Sequence, residues 1–175
     1  MNSSSPRISI GTNQLKYLSF QKVIPKDNYH DLKVHKFYIY CYLDPFKPIQ
    51  ATYSILGKPF TFGYEPLYIG KASSNHGYRH NQHIAEFLKG KDSEEPYSEL
   101  GNIIKTKKFQ ELDKNISENN NPNLPSSWEE YQKTWIIILE HFDSASELIE
   151  AEKNFIHIIG TISKNSGPLT NATFG

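Results

Sequence analysis

PLYIGKASSNHGYRHNQHIAEF, residues 66–87, holds the densest chemistry in the chain. Leu67, Tyr68 and Ile69 predict a short strand, and Gly70 is expected to end it where the backbone needs freedom. Lys71 then emerges from the strand end, where loops usually carry chemistry. From about Tyr78 the pattern turns helical, with Ile84, Phe87 and Leu88 as an apolar stripe. Arg79, His83 and Glu86 share another face of that helix, which sets a guanidinium one turn from an imidazole. The pair suits a phosphate, with Arg as a bidentate anion clamp and His as donor or proton carrier. A solvated helix face would carry the same residues, so the rest of the chain has to decide.

Working outward, FYIYCYL (37–43) alternates Phe37, Ile39, Cys41 and Leu43 with Tyr38, Tyr40 and Tyr42, the signature of a strand. Three phenols on one face fit an amphipathic cover over a core. Asp44-Pro45 is expected to end this strand, and residues 44–65 to form a loop or inserted hairpin. An acidic linker (92–99) leads to a helix over about Ser98–Phe109, with Lys105, Lys107 and Lys108 mostly outward. Residues 113–127, rich in Asn, Ser and Pro, read as a mobile loop. WIIIL (135–139) reads as a buried central strand. In SASELIEAEKNFIHIIG, Ser144 and Glu147 form a capping box, and Leu148, Ala151, Phe155, Ile156 and Ile159 a core stripe. Glu152 lies at or beside that stripe. A carboxylate there needs a partner, either Lys71 or Arg79 in an ion pair, or a metal ion.

Composition bounds the alternatives. A chain of 175 residues with eleven Tyr, ten Phe and two Trp can bury its own core as one domain. One cysteine excludes an intramolecular disulfide and fits a reducing, cytoplasmic compartment; no stretch is apolar enough for a membrane span. Net charge is zero, yet residues 1–91 carry twelve Lys/Arg against five Asp/Glu, and the remainder carries seven against fourteen. A phosphate-rich partner would therefore approach the half that contains residues 66–87. Residues 1–35 read as a basic arm, irregular or weakly helical, that either stays solvated or grips a nucleic-acid backbone. The domain proper spans 36–175. Its fold class is α/β (α+β): a small mixed or antiparallel sheet of three or more strands flanked by helices.

The order of these elements resembles the GIY-YIG nuclease family, over roughly residues 36–171. Its first motif appears as Tyr38-Ile39-Tyr40, with Tyr38 in place of the glycine, and its second as Tyr68-Ile69-Gly70, followed by Lys71. Arg79 matches the family's helix arginine and His83 the histidine of some restriction-type members. Glu152 matches the metal-binding glutamate, and Asn171 in GPLTN a late asparagine. The separation of about thirty residues between the two tyrosine motifs is similar to that of certain restriction and phage endonucleases.

The resemblance implies hydrolysis of phosphodiester bonds in double-stranded DNA, with Glu152 holding Mg²⁺ (Mn²⁺ substituting). Tyr40 would be general base, Arg79 the phosphate clamp, Tyr68 and Asn171 would complete the site, and Lys71 or His83 would favour an ionised phenol. Cutting two strands with one site per chain requires a homo-oligomer or sequential nicking. Two rivals stand beside this reading: a catalytically inactive nucleic-acid-binding module of the same fold, and a transition-metal site on His76, His80 and His83. The module would not require both Arg79 and Glu152. A metal site needs three or four converging ligands, and the chain has neither a second Cys nor an HExxH pattern.

Overall fold

The alternation that begins at Phe37 produces a strand that runs far past its expected stop. The computed structural model describes residues 9–10, 22–23, 37–73 and 100–171. Its strands are β1 (Ser9–Ile10), β2 (Lys22–Val23), β3 (Phe37–Ile55), β4 (Lys58–Ala72) and β5 (Ile136–Phe142). Among the described residues the helices are α1 (Leu100–Ser117), α2 (Trp128–Thr134) and α3 (Ala145–Ile159). The fold is α+β: a three-stranded antiparallel sheet, β4-β3-β5, with three helices. The β1 dipeptide pairs with β4 at Phe60 and Thr61, and β2 with β5 at Ile137 and Ile138. The middle strand is β3, and the apolar run 135–139, expected as a buried central strand, supplies β5, buried and flanked by β3 and β2.

β3 passes through Asp44, Pro45 and Pro48 because the ladder yields there. Its register with β4 shifts at Tyr42/Leu43, Asp44/Pro48 and Pro48/Ala51. Bulges of this kind leave residues unpaired, so a proline without an N–H costs the sheet little. Of the two readings of 44–65, a loop or an inserted hairpin, the structure has the hairpin, as the outer half of one long β3–β4 ladder. Its tip is Leu56-Gly57, both at positive φ (53° and 77°), the two-residue geometry that matches strand twist. A leucine seldom adopts that conformation. The outer half bends over α3, so that Ile55, Phe60 and Phe62 share one core with Phe155 and Ile156. Phe60 and Phe155 meet edge to face at 5.2 Å. Lys58, beside the tip, reaches back to an ion pair with Glu140 on β5.

Strand alternation then divides the interior into two cores. Ile39, Cys41, Ile69, Ile137 and Leu139 face α3. Tyr38, Tyr40, Tyr42, Leu67, Ile136 and Ile138 face Phe109, Leu112 and Ile116 of α1 and Tyr131 of α2. The phenols expected as a cover are fully buried.

Both interhelical surprises have local causes. α1 runs on to Ser117, past its expected end at Phe109, because Leu112 and Ile116 continue its buried stripe. The following asparagine-rich segment is tied by Asn119, whose Nδ2 donates to the carbonyls of Asn121, Leu124 and Pro125. α2 begins with a capping box: Ser127 Oγ accepts from the Glu130 N–H, while Glu130 accepts from the Ser126 N–H. α3 starts at the expected cap, with Ser144 Oγ accepting from the Glu147 N–H at 3.2 Å.

Candidate functional site

Three consecutive residues near the end of β4 gather the candidates from elsewhere in the chain. Ile69 is held by Asn171, Gly70 lies under Tyr40, and Lys71 pairs with Glu152. The first contact belongs to a backbone clip. The Ile69 N–H donates to Asn171 Oδ1 (3.0 Å), and Asn171 Nδ2 donates to the Ile69 carbonyl (2.8 Å). Thr170 N–H and Oγ1 both donate to the Leu67 carbonyl at 2.8 Å. A side-chain amide here plays the part of a neighbouring strand, closing the outer edge of β4 where nothing else among the described residues pairs with it. Asn171 thus reaches the site as a positioning group on the strand.

Gly70 is not the end of the strand, as the sequence led us to expect, since β4 continues to Ala72. It is the cross-strand partner of Tyr40. A Cβ built at Gly70 would lie 2.4 Å from both Cζ and Oη of Tyr40. Space, and not an unusual φ, dictates glycine here: the phenol occupies the place a side chain would take. Tyr40 itself is fully buried. Its ring neighbours are Tyr38 (6.4 Å between centroids) and Tyr42 (5.9 Å), and Tyr68 stands edge-on to Tyr42 at 5.9 Å.

Lys71 Nζ lies 2.6 Å from Glu152 Oε1. The lysine side chain is 38% exposed and the carboxylate 7%. Of the two ion pairs foreseen for Glu152, the one with Lys71 is present. Among the described residues Glu152 makes no other hydrogen bond or ion pair. The chemistry of that donor set fits a hard, water-rich divalent ion held by a single carboxylate and does not fit an all-protein cage. Among the described residues no group of three or more His, Cys, Asp or Glu could hold a metal.

Tyr40 and Tyr68 lie on the sheet face under α1 and α2, while Lys71 and Glu152 lie on the α3 face. The two sets meet at β4, which is the outer strand of the three. Arg79 and His83, with the alternative metal ligands His76 and His80, lie outside the described residues.

Several groups near the site escaped the sequence reading. His141 is the cross-strand partner of Tyr38, with ring centroids 6.2 Å apart, and extends the aromatic row. The alternation of β5 beyond Leu139 was the available signal. At the hairpin bend, Glu65 accepts from Lys108 (3.1 Å) and lies 3.9 Å from Lys47. Burial opposes the Lys108 charge, but Glu65 outweighs it and holds the ammonium above the usual lysine range. Asp44 accepts from the Phe46 N–H, and burial pushes its carboxyl above the usual carboxylate range. Tyr131 donates to the Leu43 carbonyl at 2.6 Å, and burial holds its hydroxyl well above the ordinary phenol range. Burial likewise pushes the Cys41 thiol far up, which makes it a packing residue and not a nucleophile.

Comparison with family models, with curated proteins and with solved structures gives no match. Among the described residues no helix is long and apolar enough to cross a membrane.

Proposed function

We propose that the chain is a divalent-metal-dependent endonuclease that hydrolyses DNA phosphodiesters with chemistry of the GIY-YIG type. One observation carries this reading: Asn171, Tyr40 and Glu152, far apart in sequence, each engage one residue of Ile69-Gly70-Lys71. An ordinary core has no need to bring a phenol, an amide and a carboxylate–ammonium pair to one tripeptide. An outer strand is also where groups from the two faces of a sheet come within reach of one bound phosphate.

In the proposed site Tyr40 accepts the proton of the attacking water, and Tyr68 orients that water or the phosphate. Lys71 supplies positive charge near the phenol and so favours its ionised form. Arg79 clamps a non-bridging oxygen and His83 donates to the phosphate. Glu152 would hold the Mg²⁺ (or Mn²⁺), which when bound supplies the charge that offsets the pentavalent phosphate and the leaving oxygen. Asn171 fixes the strand from which Gly70 and Lys71 act. In this reading the protein works in the cytoplasm, and severing both strands calls for a second copy or a second encounter.

The test is cleavage of supercoiled plasmid with Mg²⁺ by the full chain, compared with Glu152→Gln and Arg79→Ala. Mg²⁺-dependent relaxation or linearisation that both changes abolish is the expected result. A folded wild-type chain that binds DNA and never cuts it would replace this reading with that of an inactive binding module.

A further inference from the structure

We propose that Lys71 and a divalent cation are alternative occupants of Glu152. The ion loads by displacing the ammonium, and the displaced ammonium becomes a contact for the substrate phosphate. This inference rests on the nuclease reading above and concerns how its metal site is kept and opened. The asymmetry of the pair carries it. Glu152 sits on the buried stripe of α3 with 7% of its side chain exposed, and its carboxylate cannot leave the core. Lys71 is 38% exposed, on a flexible four-carbon stem.

A buried carboxylate without a counter-charge is costly, so the metal-free protein needs a cation there. Lys71 Nζ, 2.6 Å from Oε1, is that cation, and it is the sole polar partner of Glu152 among the described residues. A divalent ion on the same carboxylate would stand beside a positive ammonium and repel it. Both cannot hold the group at full strength. Once released, the ammonium still hangs from the residue that follows Gly70, on the strand where Tyr40 approaches. Metal loading and phosphate recognition would then be one linked step, with the lysine guarding an empty site and serving a loaded one.

Binding of Mn²⁺ to the full chain without DNA, followed by electron paramagnetic resonance of the free ion, tests the exchange apart from cleavage. Lys71→Gln should bind Mn²⁺ about threefold to fivefold more tightly than wild type, the range that a partly exposed ion pair is worth. Glu152→Gln should lose the site. Because Lys71→Gln leaves a buried charge and could unfold, a second measurement uses the unaltered protein. The ¹⁵N signal of the Lys71 ammonium should shift on saturation with Mg²⁺, and stay put in Glu152→Gln. Unchanged Mn²⁺ affinity in a folded Lys71→Gln, an ammonium signal indifferent to Mg²⁺, or no Mn²⁺ bound through Glu152 would each overturn the exchange. Plasmid cleavage without exchange would sink this inference alone. Exchange in a chain that cuts no DNA would sink the nuclease reading and leave the exchange standing.

Discussion

The two faces of the sheet share their strands and differ in how they treat polarity. Under α1 and α2 the sheet buries phenols: Tyr38, Tyr40 and Tyr42 stack along β3, with Tyr131 above them. Under α3 it buries aliphatic side chains and phenylalanines, with the buried Glu152 carboxylate paired to Lys71 among them. A phenol brings apolar area with one hydroxyl that a backbone carbonyl can satisfy, as Leu43 does for Tyr131. A carboxylate needs a full counter-charge. The difference teaches that the first face can bury its hydroxyls on neutral partners, whereas the carboxylate buried on the second has to bring a cation with it.

That contrast can be broken from either side, and the largest effect is expected on the α3 face. Phe155→Ala removes a fully buried ring that meets Phe60, and should cost about 3–5 kcal/mol in denaturant unfolding. A loss under about 1 kcal/mol would mean that the outer half of the hairpin does not close over α3 as described.

Gly70→Ala comes next. Its methyl group would press on the Tyr40 phenol, for an overpacking cost of about 1–3 kcal/mol. In a Tyr40→Leu background the same change should cost clearly less, and a double-mutant cycle with no coupling would contradict the close approach.

On the aromatic face, Tyr131→Phe leaves the buried Leu43 carbonyl without its donor and should cost about 1–2 kcal/mol. Equal stability of the two proteins would show that the hydroxyl contributes nothing there.

The smallest effect is pH-dependent. Asp44 is 3% exposed, and burial raises its folded pKa above the unfolded value. The folded state therefore binds the proton more readily, and this residue lowers stability as pH rises through the raised pKa. The penalty is absent below the ordinary carboxylate range. Asp44→Asn keeps an acceptor for the Phe46 N–H, so it should stabilise at neutral pH, with a gain that fades on acidification. A difference that is constant from acid to neutral pH would refute the assignment to burial.

How much of this was legible follows from the kind of signal each residue carries. The alternation of Tyr38, Tyr40 and Tyr42 and the cap at Ser144 are local patterns, and the structure keeps both. The stranded carboxylate of Glu152 was visible from helical periodicity, and so was its need for a partner. A hairpin over 44–65 was one of two readings, but its continuity with β3 was hidden, because two prolines read as strand breakers unless bulges are known to receive them. Gly70 was noticed for the wrong property. A sequence shows that a residue lacks a side chain but does not show the phenol that fills the space. α2 follows directly on a segment rich in Asn, Ser and Pro and was missed, although its Ser127–Glu130 box is as plain as that of α3. The asymmetry between Lys71 and Glu152 is a property of burial alone.

In the proposed nuclease both faces serve one reaction through Ile69-Gly70-Lys71. The most direct measurement is single-turnover plasmid cleavage with Mg²⁺ by Tyr40→Phe, from one face, and Glu152→Gln, from the other. Both variants must first be shown to be folded by circular dichroism. The account predicts that each slows cutting by about 10²-fold or more, the scale of a lost general base. A folded Tyr40→Phe or Glu152→Gln that cuts at the wild-type rate would contradict it.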